Sequence, residues 1–270
     1  MRTARERWSL TLGPQFSEGY VACVFPAEGP EGEPVVLKVS FISDETRTES
    51  DALRLWDGHG AVQVLDTAPD LGALLLERLE PGTPLEDHPD PDGAITIGCR
   101  LLRRLERPLR RAHPFPLVVH LARRLAAEFP ERFERLGRPF DQGLVDEAVK
   151  TCLELAAWTG RPVLANRDFH FGNVLAAQRE PWLAIDPKPL VGEPAFDTGH
   201  LLRNLLRGGD LDRPAVDSTV ERLATELGLD RNRVRAWAFV RSVDDAISWL
   251  EEGGTDPSWD VDCAPLLAPT

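Results

Sequence analysis

Asp168 and Asn173 lie in the run Asn166-Arg167-Asp168-Phe169-His170-Phe171-Gly172-Asn173, and Asp186 follows 13 residues after Asn173. A carboxylate, an amide oxygen and a second carboxylate suit phosphoryl transfer: one carboxylate orients the attacking hydroxyl, and the other two oxygens hold Mg²⁺. Spacing alone does not secure that chemistry, because Asp and Asn in a loop are ordinarily solvated turn formers. The local pattern strengthens it. Val163-Leu164-Ala165 leads into the polar run, Val174-Leu175-Ala176-Ala177 leaves it, and Trp182-Leu183-Ala184-Ile185 ends at Asp186, with turn-type composition over 178–181. That alternation predicts a hairpin whose ends bring Asn173 and Asp186 together, with Asp168 on the same rim.

Such a rim needs a scaffold on each side. Upstream, residues 10–13, 20–25 and 35–39 read as strands, with glycines at 13 and 19 in the connection between the first two. A glycine-punctuated turn at Gly19 lets backbone amides approach phosphates, although an ordinary hairpin accounts for the same residues. Lys38 alternates with valines and leucine in the third strand, a pattern that usually points a lysine at solvent. Glu49 opens a helix over 49–56, marked by Ala52, Leu53 and Trp56, and an acid there favours the helix N-terminus. Two more strands follow at 60–65 and 72–79. Pro81, Gly82 and Pro84, then an Asp/Pro-rich stretch to Gly93, mark a boundary that divides the chain into 1–80 and 81–270. Beyond it the apolar spacing predicts helices over 94–111, 117–129, 144–158, 216–226 and 232–252, with the Pro- and Asp-containing end (255–270) extended.

Two stretches carry a family resemblance. Arg167-Asp168-x4-Asn173 followed by Ile185-Asp186 resembles the kinase catalytic loop and its metal-binding aspartate. Trp182-Leu-Ala-Ile-Asp-Pro-Lys-Pro-Leu-Val-Gly-Glu-Pro-Ala-Phe-Asp197 is similar to the aminoglycoside phosphotransferase superfamily, in its streptomycin 6-kinase and hydroxyurea phosphotransferase branch. The resemblance implies an α+β, bilobal protein-kinase-like fold, with a small β-rich nucleotide-binding lobe (1–80) and a larger, mainly helical catalytic and acceptor-binding lobe (81–270). It implies ATP, with GTP left open, and Mg²⁺ as cofactors. Asp168 would act on the acceptor hydroxyl, and Asn173 and Asp186 would hold the metal. Lys38 of Val-Val-Leu-Lys-Val would contact phosphates while paired with Glu49, and Glu77 and Leu79 would lie in the hinge that meets adenine. The chain departs from the branch at Asn166-Arg167, which replaces His-Gly, and at Phe171, which replaces proline. Those changes leave open a catalytically impaired, pseudokinase-type nucleotide-binding protein. A protein kinase is disfavoured, since no Asp-Phe-Gly follows the hairpin and no Ala-Pro-Glu closes an activation segment.

Charge and composition narrow the partners. Lys plus Arg number 31 against 44 Asp plus Glu, a net charge of −13. Nucleic acid and anionic membrane are poor partners for such a chain, and a cationic ligand is attracted. Cys23, Cys99, Cys152 and Cys263 form no C-x-x-C pair, which fits reduced thiols in a cytosol, and a cytoplasmic monomer is expected. The acceptor expected from family and charge together is a cationic, hydroxylated small molecule such as streptomycin, with hydroxyurea as the alternative. Asp244 and Glu251, on the last long helix beside Trp249, are the candidate acceptor-binding carboxylates.

Overall fold

The computed structural model describes residues 2–16, 22–43, 47–109, 112–207, 209 and 211–269. The proposed phosphate-binding Gly19 lies outside the described residues. Thr11–Leu12 (β1), Ala22–Glu28 (β2), Pro34–Ser40 (β3), Val64–Ala68 (β4) and Ala73–Glu77 (β5) form one antiparallel sheet, in the order β1-β2-β3-β5-β4. Alternation along β3 explains its place next to β5. Val35 and Leu37 join Ala27, Ala68 and Ala73 in a buried cluster on one face, so Lys38 is directed to the other. The strand expected at 60–65 lies later, at β4, because Gly60 to Val62 bond instead to Ala184.

Cα packing divides the chain into two compact units, Met1–Arg107 with Phe171–Pro189, and Pro108–His170 with Leu190–Thr270. The first unit therefore takes in more of the chain than residues 1–80. It adds two helices to the sheet: Arg2–Arg7 (α1) and Glu49–Trp56 (α2), the latter burying Ala52, Leu53 and Trp56 as its spacing predicts. Pro91–Leu105 (α3) also belongs to it. That helix starts three residues before the expected 94, since Asp90 caps it by accepting from Asp92 N at 3.1 Å and Pro91 suits the first turn.

In the second unit Val118–Arg135 (α4), Gln142–Leu155 (α5), Phe196–Leu206 (α6), Arg213–Leu227 (α7), Arg231–Glu251 (α8) and Ser258–Leu267 (α9) are helical. Val163–Ala165 (β6) pairs antiparallel with Leu190–Gly192 (β9), while the first unit holds the hairpin Val174–Ala176 (β7) and Trp182–Ala184 (β8). The second unit is organised around α8. Val234, Trp237, Ala238, Phe239, Val243, Ala246 and Ile247 are buried, too wide a set for one stripe, as expected of a helix packed on several sides. One helix lies outside those the apolar spacing predicts, and the C-terminal stretch expected to be extended forms another. Residues 196–206 and 258–267 are helices, although the second contains Pro265. Cys263, Ala264 and Leu267 of α9 are buried, and its packing on α8 outweighs the weak propensity of a Pro/Asp-containing segment. The α+β expectation holds, with the larger sheet in one unit and helices dominating the other.

Close packing of α6 on α8 depends on Gly199. A Cβ there would lie 2.9 Å from the Trp237 carbonyl carbon and oxygen, backbone atoms that cannot rotate away. Gly199→Ala gains up to about 1 kcal/mol of helix propensity, against an overpacking cost of about 1–3 kcal/mol. The expected outcome is a net loss of stability, read as a lower denaturant midpoint with unchanged slope.

Candidate active site

Lys38 and Glu49 are 6% and 3% exposed, a depth at which an unpaired charge would be untenable. Each meets the other. Lys38 Nζ donates to Glu49 Oε1 at 2.6 Å and also to Asp186 Oδ1. Burial works against the ammonium, but the Glu49 and Asp186 carboxylates outweigh it and hold the Lys38 pKa above its ordinary value. Burial also raises the Glu49 pKa, and Lys38 opposes that only in part. The Asp186 side chain remains 43% exposed, so a carboxylate already oriented by Lys38 keeps surface for a cation.

The hairpin supplies the neighbouring oxygen. Val174 pairs with Ala184, and Ile185 N donates to Asn173 O at 2.9 Å. Asn173 and Asp186 thus emerge at the same end of the hairpin, as the strand–turn–strand pattern predicts. Asp186 has φ 50°, in the left-handed region that Asp tolerates better than most residues. Phe171, in the turn that carries Asn173, rests against Gly98 of α3, where an added Cβ would lie 2.5 Å from its ring. The glycine makes room for a phenylalanine where the related branch has proline. An amide oxygen and a carboxylate are hard donors suited to Mg²⁺, so the residues present fit the metal that the resemblance implies.

Glu77 is half-buried at the end of β5. Its carboxylate accepts from Gln63 N at 2.7 Å and from Arg179 at 2.5 and 3.1 Å. Arg179 also reaches the Ala61 carbonyl at 3.1 Å, tying the hairpin turn to the sheet at Glu77 and to the residues before β4. Leu79 follows, half-buried.

In the second unit, Asp168 lies in a loop that is held from α6. Asp197 Oδ2 accepts from Asn166 N at 2.8 Å and Oδ1 from Arg167 N at 2.7 Å, and Asp168 N donates to Asn166 Oδ1 at 3.1 Å. Asn166 therefore supplies a hydrogen bond within the loop in the position where the branch has histidine. Arg167 has φ 68°, a conformation that glycine adopts without strain and arginine does not. The backbone retains the shape of a glycine position while the side chain has changed. Asp197 was present in the resembling Pro-Ala-Phe-Asp motif, but nothing local in the sequence indicated its part in holding the loop.

His200, one turn along α6, is a second residue that the sequence reading missed. Its Nε2 lies 3.5 Å from Asp168 Oδ1. Burial, followed by the positive charge of Arg241, lowers its pKa to about 3, so the imidazole is neutral at neutral pH. A cavity of about 30 Å³ adjoins it, with Arg167, His200, Arg241 and Asp244 as its charged and polar lining and Trp237 among its apolar walls.

Asp244 lines that cavity, but it is not a free carboxylate. Arg132 of α4 donates to Asp244 at 2.8 Å and to Glu251 at 2.8 Å, and Arg135 donates to Glu251 at 2.6 Å. The arginines oppose burial and hold the Glu251 pKa below its ordinary value. The neighbouring Trp249 is 51% exposed.

Comparisons with known proteins agree with this geometry. Residues 7–253 match the family described as "Aminoglycoside/hydroxyurea antibiotic resistance kinase". The chain is 37% identical over 250 residues to a hydroxyurea phosphotransferase of Kitasatospora aureofaciens, covering 92% of this chain and 72% of that protein. It is 34% identical over 263 residues to a streptomycin 6-kinase of Streptomyces glaucescens, covering 94% and 83%. Among solved structures, aminoglycoside phosphotransferase APH(4)-Ia aligns with a TM-score of 0.69 at 16% identity, covering 98% of this chain and 96% of that one. A choline/ethanolamine kinase family protein from Mesorhizobium loti aligns with a TM-score of 0.67 at 16% identity, covering 100% and 96%. These likenesses show a protein-kinase-like fold. A match spanning nearly the whole chain, with relatives above 30% identity, makes this protein a member of the aminoglycoside/hydroxyurea antibiotic resistance kinase family.

Proposed function

We propose that the protein is an ATP- and Mg²⁺-dependent cytoplasmic O-phosphotransferase that moves the γ-phosphoryl group to a hydroxyl of a small molecule. The Lys38–Glu49–Asp186 cluster carries the reading: a buried cation with two carboxylates, one of them still exposed, is suited to a metal-bound nucleotide. Residues 1–80 would form the nucleotide-binding lobe and 81–270 the catalytic and acceptor lobe. Lys38, held by Glu49, would contact the α and β phosphates, and Gly19 would contribute backbone amides. Adenine would meet the hinge at Glu77 and Leu79, GTP being a possible substitute at that edge. Asn173 and Asp186 would hold Mg²⁺, which when bound neutralises phosphate charge. Asp168 would orient the acceptor hydroxyl and take its proton as the oxygen–phosphorus bond forms and ADP leaves. The hydrogen bonds that Asn166 and Asp197 give the loop favour an active enzyme over an impaired one.

The acceptor we favour is streptomycin or a related guanidino-aminocyclitol, from the relatives at 31–34% identity and the net charge of −13. A small neutral acceptor of the hydroxyurea kind is a second reading. The observation that favours it is Arg132, which occupies both Asp244 and Glu251. ATP consumption across aminoglycosides, aminocyclitols and hydroxyurea separates the two.

Asp168→Ala is expected to lower kcat by about 10²-fold or more while nucleotide affinity stays close to wild type. Near-normal turnover would remove Asp168 from the chemistry. Lys38→Ala and Asp186→Asn should each weaken Mg-nucleotide binding in titration calorimetry, and unchanged affinity in both would displace the nucleotide site. For the acceptor, Asp244→Asn and Glu251→Gln should raise KM for streptomycin several-fold at low salt and less at high salt. No change in either variant would favour the neutral acceptor. Arg167→Gly should relieve left-handed backbone strain of about 1–2 kcal/mol, less about 0.4–1 kcal/mol of added chain entropy in the unfolded state. A higher melting temperature with an altered acceptor KM is the expected result.

A further inference from the structure

We propose that Asp168, His170 and His200 form a binding site for a borderline transition-metal ion, zinc above all. Occupancy of the site would withdraw the Asp168 carboxylate from the acceptor. The inhibitory part rests on the role proposed for Asp168, whereas the binding part stands on the donor geometry alone.

The three side chains lie in one unit, all half-buried, with one donor atom from each within 4.8 Å of the others. Two ligands of a tetrahedral zinc, with bonds of about 2.0–2.1 Å, sit about 3.3–3.5 Å apart. Asp168 Oδ1 and His200 Nε2 are already 3.5 Å apart. The His170 ring centroid is 5.4 Å from that of His200, so His170 needs a side-chain adjustment rather than a change of fold. Two imidazoles and one carboxylate suit zinc and disfavour Mg²⁺, and three protein ligands leave the fourth position for water.

Metal binding needs neutral imidazole, so zinc affinity at this site should fall as the pH is lowered. Among the described residues, the buried His200 Nδ1 has no hydrogen-bond partner. In the metal-free chain Nε2–H would face the Asp168 carboxylate, and a zinc ion between them would shift the proton to Nδ1 and take the Nε2 lone pair. The nearby Arg241 would repel a cation, and Asp245, 2.9 Å from it but shared with Arg203, offsets that charge only in part. Asn173 and Asp186 would offer Mg²⁺ the oxygen donors it prefers, so Mg²⁺ would compete poorly for the imidazoles.

The test uses the full chain without nucleotide, titrated with Zn²⁺ against a chromophoric chelator. We expect one zinc per chain that millimolar Mg²⁺ does not displace, and affinity weakened about ten-fold or more in His170→Asn and His200→Asn. No stoichiometric zinc, or affinity unchanged in both variants, overturns the site. Co²⁺ on the wild-type chain gives a check that does not depend on variant folding: intense visible d–d bands mark four-coordinate binding and support the site, while weak octahedral bands contradict it. In the kinase assay with excess Mg²⁺, zinc should inhibit wild type, chelator should restore the rate, and each histidine variant should lose sensitivity relative to its own zinc-free rate. Histidine-dependent binding without inhibition would leave the site in place and overturn the role given to Asp168.

Discussion

A charge removed from water must be met by another charge, and in this protein that constraint decides where the functional side chains stand. Lys38 is buried on the face of β3 opposite the apolar cluster, and its ammonium is tolerable there because Glu49 and Asp186 both reach it. One contact comes from a helix and the other from the end of a hairpin. The pairing therefore fixes sheet, helix and hairpin relative to one another within their unit. Removing either carboxylate would leave the other to balance a buried cation alone. The cluster is thus both a structural clasp and a preset orientation for Asp186.

The loop at Asp168 is held by the same physics with different partners. Asp197 is buried at the start of α6 and accepts two backbone N–H groups from Asn166 and Arg167. Those bonds hold Arg167 in a conformation that costs a non-glycine residue free energy. Their geometry accounts for a loop that keeps its shape after glycine has been replaced. The altered side chain then lines the cavity beside His200, so the substitution changes the chemistry of the wall rather than the path of the backbone.

Much of the first unit was legible because its determinants are local. Period-two alternation placed β3, helical spacing placed α2 eleven residues after Lys38, and the turn composition at 178–181 placed the hairpin. What the sequence hid was long-range. Asp197 and His200 reach the Asp168 loop from α6, and Arg241 joins them because α8 packs on α6 at Gly199; no local pattern marks a residue for such a meeting. The helix at 258–267 was hidden for the opposite reason. Its local signals, Pro265 and two acids, argue against helix, while its support comes from burial on α8 and from Asp260, which meets the buried Arg203.

Net charge is the weakest guide of all at contact range. The chain carries −13 overall, yet the carboxylates of α8 are met by arginines: Asp244 and Glu251 by Arg132, and Asp245 by Arg203 and Arg241. At a distance the acidic surface attracts cations, an effect that salt screens over about 8–10 Å. A ligand entering the cavity would meet Arg167 and Arg241 as well as Asp244, so its charge would have to fit a mixed wall. A guanidinium entering there would have to compete with Arg132, which binds two carboxylates at once and loses no translational freedom in doing so. Long-range attraction can thus select cationic molecules for encounter while the short-range pairing decides which of them stays.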